Sequence, residues 1–259
     1  MATFVHYSVE GSVARLTLDS PDNRNALSTA LVNQLHQGLT DATEESGVRA
    51  VVLGHTGGTF CAGADLAEAA GRDPGDVAVN RARELTNLLR RILKLPMPVI
   101  AAVDGHVRAG GLGLVGACDI AVAGRSSTFA LTEARIGVAP SIISLTLLPK
   151  MTARAAARYF LTGEKFGAEE AASIGLISIA ADDVDATVAK LTADIGKASP
   201  QGLAASKALT TAPILEAFDR HAEELTQQSA QLFVSEEARE GMLAFLHKRS
   251  PSWASVAES

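Results

Sequence analysis

A chain of 259 residues, 47% hydrophobic but only 4% aromatic, is long enough for a full core built from small aliphatic side chains. Its net charge of −6, with both signs interspersed, excludes the basic footprint of a nucleic-acid or anionic-membrane binder, while a local basic patch for a small phosphorylated ligand stays open. Two isolated cysteines, Cys61 and Cys118, and six scattered histidines give neither a disulfide framework nor a metal-ligand spacing, so no metal is expected.

In chain order, residues 4–10 and 13–19 alternate apolar and polar positions around Gly11-Ser12, which predicts a hairpin. Pro21-Asp22-Asn23 ends the second strand. Ser28 then stands as N-cap to a helix carrying Leu31, Leu35 and Leu39 on one face and closed by Gly47. Residues 49–54 read as a buried strand, and 57–66 as a glycine-rich loop leading into a helix. Residues 70–80 are polar and turn-rich, the segment where mobility is expected. Residues 83–95 form an amphipathic helix stopped by Pro96 and Pro98.

Residues 98–103 predict a second buried strand, broken at Asp104-Gly105 ahead of the cluster Gly110-Gly111-Leu112-Gly113. A small-residue helix over 114–117 and a strand-like run over 118–123 follow. Residues 153–161 and 168–174 are helical, 176–180 a short strand. From about Asp185 the pattern is helical to the end, over 206–209, 214–233 and 235–246. The class is α/β, with a mixed core over 1–199 and a helical part over 200–259, divided near Ser199-Pro200; no repeat is visible. Without a basic-then-apolar leader or a run approaching the roughly 20 apolar residues of a membrane span, a soluble cytoplasmic protein is expected.

The glycine clusters match neither GxGxxG nor GxxxxGK[ST], and no GxSxG elbow occurs. They serve either as plain turns or as places where freed main-chain N–H groups face a ligand. The loops at Gly63-Ala64 and Gly110-Gly111 each follow a strand and precede a helix. One N–H from each, converging on one oxygen, would stabilise the charge that develops on an acyl carbonyl. Spacing does not establish that convergence. Glu133, among Phe129, Leu131 and Ile136, is either a poorly solvated carboxylate able to carry a proton or an ordinary helix-start acid after Thr132.

These segments together resemble the enoyl-CoA hydratase/isomerase, or crotonase, family: Asn25-Ala26-Leu27, residues 60–66, residues 98–105 with Ala109-Gly110-Gly111, Cys118-Asp119-Ile120, residues 129–140, and Leu161-Thr162-Gly163 with residues 171–177. The resemblance implies a spiral of ββα units with a helical C-terminal part for oligomerisation, as a homotrimer or dimer of trimers. It implies an acyl-CoA substrate, in which coenzyme A is part of the substrate, and no cofactor. It places oxyanion donors at the N–H of Ala64 and Gly110 and the acid–base residue at Glu133. Arg24, Ala26, Ala62, Asp65, Leu66 and Gly111 fall at positions that bind CoA and pantetheine.

One departure stands out. Family hydratases usually carry a second glutamate at the position of Gly113, which has no side chain. The runs 110–114 and 132–144 look most like bacterial methylglutaconyl-CoA hydratase-type members of leucine breakdown, and His106, Arg108 and Gly113 would then line the acyl site. The expected reaction is reversible addition of water to an enoyl-CoA, possible within fatty acid or leucine degradation. A Δ3-Δ2 enoyl-CoA isomerase using Glu133 alone, and a non-catalytic acyl-CoA-binding protein, are the alternatives.

Overall fold

The structure, a computed structural model, describes residues 2–66, 68 and 74–254, with backbone only at 74–76. The chain winds as successive ββα turns. Val5–Glu10 (β1) and Val13–Leu18 (β2) form an antiparallel hairpin across Gly11, whose φ of +60° makes the turn. Thr29–Glu44 (α1) follows. Ser28 caps it by accepting from the N–H of Leu31, and its buried stripe is Leu31, Val32, Leu35, Leu39 and Ala42. The helix ends at Glu44, three residues before Gly47, which instead turns the connection with φ +95°.

The next turns are Ala50–His55 (β3), Thr59–Cys61 (β4) and Pro74–Lys94 (α2), then Val99–Val103 (β5), His106–Arg108 (β6) and Gly110–Ala117 (α3), then Ile120–Gly124 (β7), Thr128–Ala130 (β8) and Ser141–Leu147 (α4). After these come Ala153–Thr162 (α5), Phe166–Gly167 (β9), Ala168–Ser173 (α6), Ile179–Ala181 (β10) and Val184–Ile195 (α7). Both strands of the hairpin, the first strand of each of the next three turns and β10 form a six-stranded sheet ordered β1-β2-β3-β5-β7-β10, and the second strands of those three turns with β9 form a four-stranded sheet ordered β4-β6-β8-β9. Strands β3, β5 and β7 pair in parallel, and their alternate residues serve two cores. Val51, Leu53, Val99, Ala101 and Val103 face the main core, while Val52, Ile100, Ala102 and Val122 pack with Val188 of α7. Burial on both faces is why these strands read as continuous apolar runs.

Several expectations need correction. The second sheet was not foreseen, because its strands have two or three residues each. Residues 57–66 contain β4, and no helix starts at 66; Ala64 instead forms a parallel bridge to Leu27. Of the segment 70–80, residues 74–80 open α2, and 70–73 lie outside the described residues. The last short strand lies at Ile179–Ala181 rather than 176–180, set by its register with Val122, Ala123 and Gly124 of β7.

The C-terminal part is Pro200–Phe233 (α8) and Glu236–Leu246 (α9). Ser199 caps α8, with Pro200 in the first turn. The helix does not break at Pro213, although an interior proline costs about 3 kcal/mol. Burial of Lys207, Thr211, Ile214 and Phe218 on both sides of the proline, where α8 packs on α2 and α4, holds it together. Lys207 Nζ bonds the carbonyls of Ile92 and Met97 at 2.9 and 3.1 Å and Asp119 Oδ2 at 2.7 Å. Asp119 in turn accepts from the N–H of Val99 at 2.8 Å, which delays β7 to Ile120. No helix among the described residues is long and apolar enough to cross a membrane.

Candidate active site

The loop before α1 is folded around Asn25, which is fully buried. Arg24 and Asn25 both adopt left-handed φ, +58° and +55°. Asn25 stabilises that bend by accepting from the N–H of Ser20 at 2.6 Å and donating to the carbonyls of Thr56 and Thr59 at 3.2 and 2.8 Å. The shaped loop then grips the next: Ala62 N–H donates to Arg24 O at 3.1 Å, and Leu27 N–H to Gly63 O at 2.7 Å. Asn25 is a supporting residue whose role the sequence left unassigned; an asparagine just ahead of a helix cap is the only local sign of it.

Gly63, at φ +90°, carries the second loop onto the third. A Cβ there would lie 2.8 Å from Ala109 Cβ and 3.3 Å from both Arg108 O and Gly110 N. The two glycine loops therefore meet backbone to backbone, a neighbourhood that spacing could not establish. Ala109 sits at φ +46°, ψ −123°, a strained conformation for a residue with a side chain, and caps α3. Gly110 is the first residue of α3, where the helix has no carbonyl of its own to receive its N–H. Neither this N–H nor that of Ala64 donates to a carbonyl among the described residues. A Cβ on Gly110 would meet Leu27 Cδ1 at 3.1 Å, Gly63 Cα at 3.7 Å and Leu85 Cδ2 at 3.8 Å, so its surroundings are apolar.

The second sheet ties the segment that leads to Glu133 to the Gly110 loop. Arg108 of β6 pairs with Ala130 of β8, and Ala109 N–H donates to Ala130 O at 3.1 Å. Three residues on, Glu133 opens a 3-10 turn, Glu133–Ile136, closed by Gly137 at φ +77°. Glu133 is 7% exposed, and its Oε2 has no hydrogen-bond partner. Burial pushes its pKa up to about 7, only partly opposed by its own backbone N–H. It is a buried carboxyl poised to exchange a proton near neutrality, not a surface acid or a cap.

The remaining candidates divide. Arg24 is exposed, and its guanidinium has no partner among the described residues, so it is available to an anion. Asp65 accepts from Asn23 Nδ2 at 3.0 Å, and Ala62 and Leu66 are half-buried. Ala26 is buried, and a Cβ on Gly111 would strike Cys61, so any contact these two make with a ligand is through the main chain. Arg108 donates to the carbonyls of Val107 and Thr128 at 2.8 and 2.7 Å and to Thr128 Oγ1 at 2.8 Å, while His106 Nδ1 shares that hydroxyl at 2.9 Å. These bonds bind both side chains to the β6–β8 pair rather than to Glu133. Cys61 and Cys118 are buried with thiols raised to about 12, far from a nucleophile's range.

Gly113 does not open onto free space. A Cβ there would fall on Ile143 Cγ2, 3.0 Å from Ile143 Cβ and 3.4 Å from Leu89 Cδ1. Where a second carboxylate would project from α3, this protein has an isoleucine. Gly113→Ala is expected to lose about 1–3 kcal/mol of stability through overpacking, measured by urea denaturation. With Ile143→Ala in the same chain the loss should be less than the sum of the two single losses; strict additivity would show that Ile143 is not the obstacle.

A groove of about 540 Å³ on the α7 side of the six-stranded sheet, lined by Arg15, His55, Asp104, Asp182, Asp183 and Asp185 among others, contains none of Ala64, Gly110 or Glu133. No group of three or more metal-ligating side chains occurs among the described residues.

Comparison with known proteins shows the family to which the chain is similar. The family model described as Enoyl-CoA hydratase/isomerase matches residues 8–256. A Rhodobacter capsulatus protein named "Probable enoyl-CoA hydratase" is 36% identical, with 95% of this chain and 96% of that protein covered. The 1,2-epoxyphenylacetyl-CoA isomerase of Escherichia coli K12 is 31% identical over 98% of this chain and 99% of its own. Among solved structures, an enoyl-CoA hydratase from Mycobacterium avium is 67% identical, covers 98% of this chain and 100% of its own, and superposes with a TM-score of 0.92.

Proposed function

The chain belongs to the enoyl-CoA hydratase/isomerase family of enzymes, and from that premise we propose that it adds water reversibly across the α,β double bond of an enoyl-CoA. The observation that carries the reading is the buried Glu133, whose Oε2 has no partner, together with two glycine loops that meet backbone to backbone and whose N–H groups at Ala64 and Gly110 serve no carbonyl among the described residues. The N–H groups of Ala64 and Gly110 receive the thioester oxygen as it gains charge. Glu133 takes a proton from water as the oxygen bonds to the β-carbon, and returns that proton to the α-carbon. A carboxyl near 7 serves both halves of the exchange. Arg24 is assigned to a phosphate of CoA, with the main chain of Ala26, Ala62, Leu66 and Gly111 and the carboxylate of Asp65 along the groove. The reading needs no resident cofactor or metal.

The apolar neighbours of Gly110, Leu27 and Leu85, favour an apolar acyl chain. A dicarboxylic, methylglutaconyl-type group would need a free cation, and Arg108 is committed to Thr128. Exposed Leu243, Phe245 and Leu246 on α9 and Leu209 on α8 support assembly into a homotrimer or a dimer of trimers.

A second reading has its own observation. Ile143 and Leu89 fill the place of a second carboxylate, so water is held by fewer polar groups than in a two-acid site. A Δ3-Δ2 isomerase needs only one carrier: Glu133 removes a proton from the α-carbon and delivers it to the γ-carbon. Assaying a trans-2-enoyl-CoA and a 3-enoyl-CoA side by side decides between them. Hydration of the first without migration in the second is the expected outcome; migration without hydration would replace the first reading by the second.

A further inference from the structure

The turn that carries Glu133 is held between two helices that contribute no group to its carboxyl. On one side, a Cβ on Gly241 of α9 would lie 2.5 Å from the carbonyl carbon and oxygen of Ile136. A Cβ on Gly137 would lie 2.7 to 2.8 Å from the backbone of Glu237 and Ala238. Backbone rests on backbone at both points, a separation that any side chain would abolish. The face of α9 turned inward is small throughout: Ala238, Gly241 and Ala244 are buried at three-residue spacing.

On the other side, Arg135 Nε donates to the carbonyl of Thr162 at the end of α5, 2.8 Å away. Gly163, at φ +61°, leaves room for that arm, since a Cβ there would lie 2.9 Å from Arg135 Nε and 3.0 Å from Leu131 O. The turn's own bonds are Arg135 N–H to Thr132 O and Val138 N–H to Glu133 O, both at 3.1 Å, and Gly137 N–H to Ala134 O at 3.5 Å. A four-residue 3-10 turn is a weak scaffold, so its position is set by what packs against it.

We propose that α9 is a positioning element for Glu133, acting through the close approach of Gly241 to Ile136 and of Gly137 to Glu237. The C-terminal helix thereby belongs to the proton-transfer apparatus. This rests on the reading of Glu133 as the acid–base residue. The contact fixes the direction of the carboxyl and keeps water from its buried oxygen. A displacement of about 1 Å at a reacting group can cost on the order of 10²-fold in rate.

The test is Gly241→Ala in the full-length protein, with kcat, KM and the pH dependence of kcat/KM measured on the active acyl-CoA. The expected result is a fall in kcat of about 10- to 100-fold, KM within about threefold of wild type, and a pH break moved to lower pH as water reaches Glu133. A variant that is folded, with unchanged kcat and an unchanged break, overturns the proposal even if its melting temperature drops. Should Gly241→Ala fail to fold, Ser235→Ala decides the matter. It removes the cap that accepts from Ala238 N–H at 3.1 Å and loosens α9 without touching the turn. A several-fold lower kcat with the same downward pH movement supports the proposal, and none refutes it. If instead Glu133→Gln leaves turnover intact, it is the assignment of Glu133 that has failed.

Discussion

Glu133→Gln is expected to bind an acyl-CoA ester as the wild type does while turning it over at least about 10²-fold more slowly, because the amide keeps the shape of the carboxyl but cannot carry a proton. Isothermal titration with a non-reacting thioester and steady-state rates separate the two effects. Equal turnover would remove Glu133 from the mechanism. The pH profile gives a second readout. With its carboxyl at about 7, the wild-type kcat/KM should break near neutrality, and that break should be absent in Glu133→Gln.

The same residue makes a prediction about stability. Its folded-state pKa, about 7, lies above the ordinary value of 4.5 because burial disfavours the charge. The native state therefore holds a proton that the unfolded state releases between these values. The stability contributed by the neutral carboxyl is fully present below about 4.5 and is lost as pH rises through about 7. At 1.36 kcal/mol per pKa unit, the change across that window is on the order of a few kcal/mol. Thermal melts at pH 5 and pH 8 should show Glu133→Gln gaining on the wild type at the higher pH. A constant difference across the range would contradict a buried, neutral Glu133.

Ala64→Pro is the second large effect expected. The Ala64 side chain is exposed and its N–H serves no bond within the described fold, so a proline there removes a free donor; because proline also restricts the residue before it, Gly63 at φ +90°, a melting curve must accompany the rate. Losing one donor to a developing oxyanion typically costs on the order of 10²–10³ in rate. Ala64→Gly keeps the N–H and should stay within a few-fold of wild type. Rates on the substrate identified by the two-substrate assay, with a melting curve for each variant, test the pair. Matching activities in proline and glycine variants would show that the Ala64 N–H does not reach the thioester oxygen.

The long, strongly patterned elements were legible beforehand. The hairpin around Gly11, α1 behind the Ser28 cap, and the double-sided strands β3 and β5 follow from local chemistry within a few residues. The second sheet was not legible, because strands such as Thr59–Cys61 and His106–Arg108 are too short to show a period. The helical runs expected separately at 206–209 and 214–233 are one helix, because the local penalty of Pro213 is outweighed by packing on α2 and α4.

The sequence by itself determined which groups could do the chemistry. One acid in an apolar run, two glycine loops able to free main-chain N–H groups, and the missing side chain at residue 113 are properties of residue type. Only the tertiary structure decided where those groups point. Gly63 meets Gly110 because β4 and β6 are neighbours in a sheet that no local pattern announces. Ile143, thirty residues from Gly113 along the chain, occupies its vacant volume, and α9, a hundred residues beyond Glu133, rests on its turn. Contacts of that kind depend on through-space approach of backbones at glycines. A glycine in a sequence states that an approach is allowed, and only the fold states what approaches.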